Sequence, residues 1–345
     1  MIKVGIYGAS GYTGQELLKI LVRHPEAEVV ALTSRKYTGM PVSDVYPAFT
    51  GLTKQSYIDA SADEVASRCD MVFLAVPHGQ AMEVAPRFVQ QGVKVVDLSA
   101  DYRLRDVAVY EEWYRPHTSA EFLSQAIYGM PELYRSEIKD ATLVANPGCY
   151  PTGAILGLAP ALRGNVIDTA SIIIDSKSGV SGAGREAQVG TLFCEVNEGF
   201  KAYKIGAHRH TPEIDQELSS LAGGEVSASF VPHLVPANRG ILSTIYARLT
   251  ADISYTDVLE MYQSFYGEEP FVRVYGDGMY PNIAYVKGSN YCDIGLVLDA
   301  KKRRVIIITA IDNLVKGAAG QAVQNMNLMC GFPEDMGLQL VSLFP

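Results

Sequence analysis

Two short stretches carry the residue types best suited to covalent chemistry. The first is Asn146-Pro147-Gly148-Cys149-Tyr150-Pro151-Thr152, where Pro147 and Gly148 impose a turn. Behind it residues 152–162 are apolar and mostly helix-forming, closed by Gly164, with Pro160 as a point of kinking or shortening. Cys149 is therefore expected where a helix begins, facing unpaired backbone N–H groups and the positive end of the helix dipole. Such a position favours the thiolate, which is the nucleophilic form of cysteine. A buried, inert thiol is the competing reading. Turn, helix start and thiol together favour a nucleophile.

The second stretch is Gly206-Ala207-His208-Arg209-His210-Thr211-Pro212-Glu213. Thr211 is expected as N-cap and Pro212 at the first helical position of a helix running to about Leu221. His208, Arg209 and His210 then lie in the loop before it, a setting for an anion. A metal fits less well, because no other histidine or cysteine falls at supporting spacing.

These groups need elements to hold them and a redox partner. Residues 3–8 read as a buried strand, followed by Gly8-Ala9-Ser10-Gly11-Tyr12-Thr13-Gly14 and an amphipathic helix over 15–23. Strand, glycine turn and helix in that order let backbone N–H groups approach a dinucleotide phosphate, here with G-x-x-G-x-x-G spacing. A second strand over 28–33 ends in Ser34-Arg35, where an NAD site usually has an acidic residue on the ribose. A hydroxyl and a guanidinium suit the 2′-phosphate of NADP instead. Residues 71–77 and 94–100 read as further parallel strands joined by a helix over 79–91. Pro77 and Arg103 follow these strands at the edge where ligands bind, Arg103 as a candidate partner for a substrate anion. Residues 104–140 give no clear pattern, and 142–146 reads as the last strand before Cys149.

From residue 170 the texture changes. Residues 171–178, 226–235, 240–250, 271–275, 291–299 and 304–311 read as strands of a largely antiparallel sheet, with 179–184 as a flexible loop. Such a sheet has a second face able to pair subunits. Residues 315–329 read as a helix that packs back on the first domain. The expected fold is α/β: a Rossmann-type dinucleotide-binding domain (residues 1–147 and 313–345) plus an α+β catalytic and dimerisation domain (148–312).

A chain of 345 residues with 48% hydrophobic residues and a net charge of −9 reads as an ordered two-domain enzyme, not a nucleic-acid binder. Five scattered cysteines without metal-type spacing argue against a disulfide framework and for a reducing, cytoplasmic setting. Met1 leads straight into a strand-like run without a signal peptide, and no apolar run reaches membrane-spanning length.

Thiolate, dinucleotide turn and imidazole together suit an oxidoreductase working through a covalent thioester. Cys149 would attack a carbonyl, His208 would handle the proton, and NADPH would deliver hydride. The four segments 8–14, 146–152, 178–185 and 208–213, with 312–319, resemble the N-acetyl-γ-glutamyl-phosphate reductases, within a wider set that includes aspartate-semialdehyde dehydrogenase. The resemblance covers essentially the whole chain. It implies NADPH-dependent reduction of the acyl phosphate to the semialdehyde, in arginine biosynthesis, by a homodimer or homotetramer. It implies Cys149 as nucleophile and His208 as acid/base, with the family's glycine turn on Gly8, Gly11 and Gly14; Ser10, Tyr12, Thr13, Ser34, Arg35, Pro77, Ser178, Gly179, Asn313 and Gly317 are further expectations at the cofactor. Arg103, Asn146, Arg185, Arg209, His210 and Glu213 are the corresponding expectations for substrate. A reductase of aspartyl phosphate or of carrier-linked aminoadipyl phosphate would serve the same motifs. A non-catalytic NADPH sensor would need only the N-terminal half.

Overall fold

The computed structural model describes residues 1–344 and divides into two units, residues 1–147 with 318–339, and 148–317 with the C-terminal segment from 340. The chain thus returns to the first unit at 318, five residues later than the boundary expected from sequence, and its last residues join the second unit.

The first unit holds six strands: β1 (Ile2–Tyr7), β2 (Ala27–Leu32), β3 (Met71–Leu74), β4 (Lys94–Asp97), β5 (Ala126–Tyr128) and β6 (Leu143–Ala145). They form one sheet in the order β2-β1-β3-β4-β6-β5, with every pairing parallel. Residues of β3 and β6 are buried throughout, as expected of strands covered on both faces. Helices Tyr12–Leu21 and Ala81–Gln90 follow β1 and β3 in the chain, close to their expected places. Within residues 104–140, which show no clear sequence pattern, lie helices Val107–Trp113 and Pro131–Asp140 as well as β5.

The second unit holds β7 (Ile167–Ser178), β8 (Lys201–Ala202), β9 (Ser229–Leu234), β10 (Ile241–Leu249), β11 (Val272–Val274), β12 (Cys292–Asp299) and β13 (Arg304–Ile311). Their order is β11-β12-β13-β10-β7-β9-β8. The sheet is mixed: β7–β9 and β11–β12 pair in parallel, the other neighbours antiparallel. A parallel pair needs a crossover. For β7–β9 that connection contains the helix Thr211–Ala222, so one pairing is parallel because the histidine-bearing loop is inserted there.

Helix Cys149–Arg163 packs on β7, β10 and β13 and is buried along nearly its whole length. It starts at Cys149 itself and runs through Pro160 without interruption. Proline removes one helical N–H and displaces the carbonyl four residues earlier. That carbonyl, Leu156, accepts a hydrogen bond from the Tyr266 hydroxyl at 2.5 Å, and its neighbour Gly157 accepts one from Tyr262 at 2.7 Å. Tyr266, beside helix Tyr255–Phe265, thus supplies the missing donor, and Tyr262 of that helix adds one to the next carbonyl. The loop 179–184, expected to be flexible, contains the turn Val180–Ala183, and Val180 and Ser181 donate their N–H groups to Ala237 and Asn238 carbonyls.

Candidate active site

In the first unit β2 and β3 lie on opposite sides of β1, so the carboxyl ends of β1 and β3 flank the reversal where open parallel sheets bind ligands. Gly8 closes β1 with φ +91°, and a Cβ there would stand 2.5 Å from the Ala75 carbonyl oxygen. A Cβ on Gly14 would come within 2.6 Å of the Ala9 carbonyl oxygen. Gly11 differs, since its Cβ would meet nothing within 4 Å. Gly8 and Gly14 are therefore demanded by packing, while Gly11 borders open space.

Gly11 is also the N-cap of helix Tyr12–Leu21, which has no side-chain cap and no acidic residue in its first turn. The start of helix Ala81–Gln90 is the opposite case. There the Asp101 carboxylate accepts the N–H groups of Gly79 and Met82, at 2.7 and 3.1 Å, and the Tyr110 hydroxyl at 2.8 Å. One helix start is closed by a buried anion; the other offers bare backbone beside open space. That fits a dinucleotide pyrophosphate, with Tyr12 and Thr13 in the receiving turn.

Ser34 is buried and donates to Ser10 Oγ at 2.8 Å, while the Tyr46 hydroxyl donates to the Ser10 carbonyl at 2.7 Å. These bonds brace the glycine turn. Arg35 is exposed and is the member of the Ser34-Arg35 pair available to a 2′-phosphate; Pro77 is exposed after β3. Arg103 and Asn146, expected at substrate, are placed otherwise. Arg103 is buried, with Nε donating to the Asn146 carbonyl and Nη2 to the Leu98 carbonyl at 2.8 and 2.9 Å. The Asn146 amide donates to the Ala318 carbonyl at 3.2 Å and accepts from Asn325 at 3.1 Å. Both polar groups of that side chain tie the end of β6 to the returning C-terminal segment.

In the second unit Cys149 is the first residue of its helix, half-buried, behind an extended N-cap at Gly148. The helix has no side-chain cap and no acidic residue in its first turn. The Gly148 N–H donates to the buried Glu213 carboxylate at 2.8 Å. Glu213, expected at substrate, therefore sets the turn that presents Cys149. Helix Thr211–Ala222 starts one residue earlier than its sequence suggests, with His210 as N-cap and Thr211 as its first residue.

His208 sits among the rings of Tyr150, Tyr203 and Phe230, with centroids 5.3, 5.5 and 5.5 Å away, and 4.9 Å from the ring of His210. The His210 backbone N–H donates to His208 Nδ1 at 3.1 Å, so the neutral ring carries its proton on Nε2. Nε2 lies 3.4 Å from the Tyr203 hydroxyl, which lies 3.0 Å from the Tyr150 hydroxyl, which donates to the His233 carbonyl at 3.3 Å. A donor at one end and an acceptor at the other orient every proton between them: Nε2–H toward Tyr203, Tyr203 toward Tyr150, Tyr150 toward His233. Burial first, then the Lys204 and Arg209 charges, lowers the His208 pKa to about 4. His208 is thus a neutral imidazole presenting an N–H. Its Nδ1 lone pair is engaged by the His210 N–H. Burial first, with the charge of an ionised Cys149 among the lesser causes, raises the pKa of both Tyr150 and Tyr203. Neither tyrosine stands out by spacing alone, although Tyr150 adjoins the nucleophile.

Ser178, Gly179 and Asn313, expected at the cofactor, serve the second unit's own loops. Ser178 Oγ donates to the Gly179 carbonyl at 2.9 Å, and Asn313 accepts from the Gly240 N–H and donates to Ser181 Oγ at 2.8 and 2.9 Å. Gly317 lies against Cys149. Arg185 and Arg209 are exposed, and His210 is half-buried at the start of its helix. Among the described residues no group of three or more His, Cys, Asp or Glu side chains could hold a metal ion, and no helix is long and apolar enough to cross a membrane.

Two outcomes follow from these placements. Gly11→Ala, at an N-cap with open space beside it, lowers the melting temperature less than Gly8→Ala does and weakens NADPH binding, measured by fluorescence titration. Equal effects on stability from the two would remove Gly11 from the phosphate turn. For His208 the folded pKa of about 4 lies below the ordinary 6.5, so the folded state binds fewer protons between those values. Its contribution to stability is complete above pH 6.5 and is lost as pH falls toward 4. The stability difference between wild type and His208→Gln, from urea titrations, shrinks over that window by on the order of 2–3 kcal/mol. A difference independent of pH would show that the imidazole titrates normally.

Comparison with known proteins agrees with both units. Residues 3–141 match the family model "Semialdehyde dehydrogenase, NAD binding domain" and residues 149–313 match "Semialdehyde dehydrogenase, dimerisation domain". Solved structures of similar fold include aspartate semialdehyde dehydrogenase II of Vibrio cholerae (TM-score 0.74, 16% identity, 96% of this chain and 98% of that one). Another is the Candida albicans aspartate semialdehyde dehydrogenase with NADP (TM-score 0.70, 16% identity, 96% of this chain and 98% of that one). At such identity the likeness is one of fold alone. Curated relatives are far more similar. The N-acetyl-γ-glutamyl-phosphate reductases of Citrifermentans bemidjiense and Desulfotalea psychrophila are 57% and 56% identical, and that of Moorella thermoacetica 55%, each over the full length of both chains. With matching domains, a matching fold and this identity from end to end, the chain belongs to the N-acetyl-γ-glutamyl-phosphate reductase family.

Proposed function

We propose that this protein reduces N-acetyl-γ-glutamyl phosphate to N-acetyl-L-glutamate 5-semialdehyde and phosphate, with NADPH, as a cytoplasmic step of arginine biosynthesis. The observation that carries the reading is Cys149 as the first residue of an uncapped, buried helix, in a chain 57% identical throughout to a reductase of that name. The same identity weighs against aspartyl phosphate and carrier-linked substrates, and Cys149 at a bare helix start weighs against a sensor.

The Cys149 thiolate attacks the acyl carbonyl, the bond from that carbon to the phosphate oxygen breaks, and phosphate leaves with the electron pair. The bound dinucleotide supplies the hydride that reduces the resulting thioester. The carbon–sulfur bond then breaks, the aldehyde leaves, and Cys149 recovers its thiolate. At both steps negative charge develops on the carbonyl oxygen. The Cys149 backbone N–H and the His208 Nε2–H are the donors assigned to it, pre-oriented before reaction. The Nε2–H contact to Tyr203, at 3.4 Å, is long enough to be exchanged for a substrate oxygen. His210 positions the substrate, and exposed Arg185 and Arg209 meet its phosphate and carboxylate. Arg35 meets the cofactor 2′-phosphate.

The protein is further proposed to work as a homodimer or homotetramer, through the outer face of the second sheet. Alternate residues of β7 point there, Ile173 with 43% of its surface exposed beside partly exposed Asp175 and Lys177. Light scattering that gives a monomer at micromolar concentration rejects that assembly.

The reaction is tested in reverse. N-acetylglutamate semialdehyde, NADP and phosphate should give NADPH; omission of phosphate should abolish it, and aspartate semialdehyde should support far less. Cys149→Ser should lose nearly all turnover while keeping NADPH affinity. Turnover with aspartate semialdehyde alone would overturn the substrate assignment, and an active serine variant would overturn the covalent route.

A further inference from the structure

The strand β13 ends at Ile311 and the chain turns through residues 312–317 before it leaves the second unit. Asp312 is fully buried, and its carboxylate collects this turn. One oxygen accepts the N–H groups of Leu314 and Val315 at 2.8 and 3.2 Å; the other accepts the Gly288 N–H at 2.7 Å and faces Arg239 Nη1 at 3.4 Å. The Asp312 carbonyl then accepts the Gly317 N–H at 2.9 Å, a bond spanning five residues, at the start of a π-helical stretch, Val315–Ala319. Such a wide turn is held open by the carboxylate that satisfies its first N–H groups.

The turn ends against the nucleophile. A Cβ on Gly317 would lie 2.8 Å from Cys149 Cβ, 3.2 Å from its Cα and 3.3 Å from Ile311 Cδ1. The first of these distances is shorter than carbon atoms tolerate, and its partner is the first side-chain atom of Cys149, which cannot swing aside without moving the thiol. The sequence places Gly317 among cofactor contacts; the geometry gives a different reason for glycine there.

We propose that Gly317 is a positioning residue for Cys149: its bare Cα, fixed by the Asp312 turn, is the surface against which the nucleophile is seated. The residue touches neither substrate nor reacting atoms and acts only through Cys149. The proposal rests on the reading of Cys149 as nucleophile. A methyl group at position 317 pushes the Cys149 Cβ outward, changing the aim of Sγ and its distance from the bare N–H groups of its helix. Misplacement of a reacting group by about 1 Å is enough to cost about a hundredfold in rate.

The test compares wild type with Gly317→Ala, Asp312→Asn and Cys149→Ser, using three readouts. These are turnover in the phosphate-dependent assay, NADPH affinity by fluorescence titration, and the pH profile of Cys149 alkylation by iodoacetamide. Peptide mass mapping separates Cys149 from exposed Cys194 in the last readout. Gly317→Ala should lower kcat by about 10- to 100-fold, leave NADPH affinity within about twofold, and shift the alkylation profile. Asp312→Asn should act in the same direction with smaller effect, and it decides the matter where Gly317→Ala does not fold. Wild-type kcat and alkylation in a folded Gly317→Ala protein overturn the proposal. So does weakened NADPH binding with an unchanged alkylation profile, which would return Gly317 to the cofactor. An active Cys149→Ser protein would instead refute the covalent reading, because alkylation still reports the seat of the thiol.

Discussion

The hydrogen bond from the Gly148 N–H to the Glu213 carboxylate ties the start of one helix to the start of another. An acidic residue in the first turn of a helix is ordinarily favoured by its own helix dipole. Glu213 lies there and is only 1% exposed, so its charge needs hydrogen bonds inside the protein. Taking the Gly148 N–H supplies one of them and fixes the residue before Cys149 in an extended conformation. Cys149 is therefore positioned by its N-cap from outside its own helix, while the N–H groups beyond it receive no side-chain cap.

The same device recurs with different consequences. Asp101 closes the start of helix Ala81–Gln90, and Asp312 gathers the turn ahead of Gly317. Three buried carboxylates bind backbone N–H groups at chain reversals, and each would be left with an expensive unsatisfied charge if its turn opened. The glycine turn after β1 lacks such an anion. Its helix start has no cap, and Gly11 has open space where a side chain would be. Carboxylates close those three turns, while the turn after β1 keeps glycine and bare backbone.

The glycine turn, the strands of the first sheet other than β5, and the helix behind Cys149 were legible because each rests on local rules: turn chemistry, continuous apolar runs and helix periodicity. The sequence shows three glycines at equal spacing, but only packing separates Gly8 and Gly14, which have no room for a Cβ, from Gly11, which has it. Arg103 and Asn146 illustrate the limit. Their residue types suit substrate anions and amides, yet their partners are Leu98, Asn146, Ala318 and Asn325 groups set by the tertiary fold. Helix Tyr255–Phe265 did carry a local signal, the capping box from Ser254 to Asp257, whereas Pro131–Asp140 is kinked at Tyr134 and blurs its own period. The π-helical stretch has no sequence signature at all, since it depends on Asp312 meeting Gly288.

The proton state of His208 shows why residue type alone does not assign a role. A histidine beside a candidate nucleophilic cysteine suggests a base. Here the His210 N–H takes the lone pair of Nδ1, and burial together with Lys204 and Arg209 opposes a charge on the ring. A protonated His208 would be a third cation in a half-dry loop. The neutral ring keeps an N–H on Nε2. Under the proposed chemistry an acyl phosphate changes this balance in one direction. Its charge offsets Lys204 and Arg209, the two lesser causes that lower the pKa, while burial, the largest cause, still opposes a charge on the ring. A neutral donor is then sufficient, because phosphate leaves as an anion and the thiolate is regenerated when the aldehyde departs, with no step that requires the ring to surrender its proton.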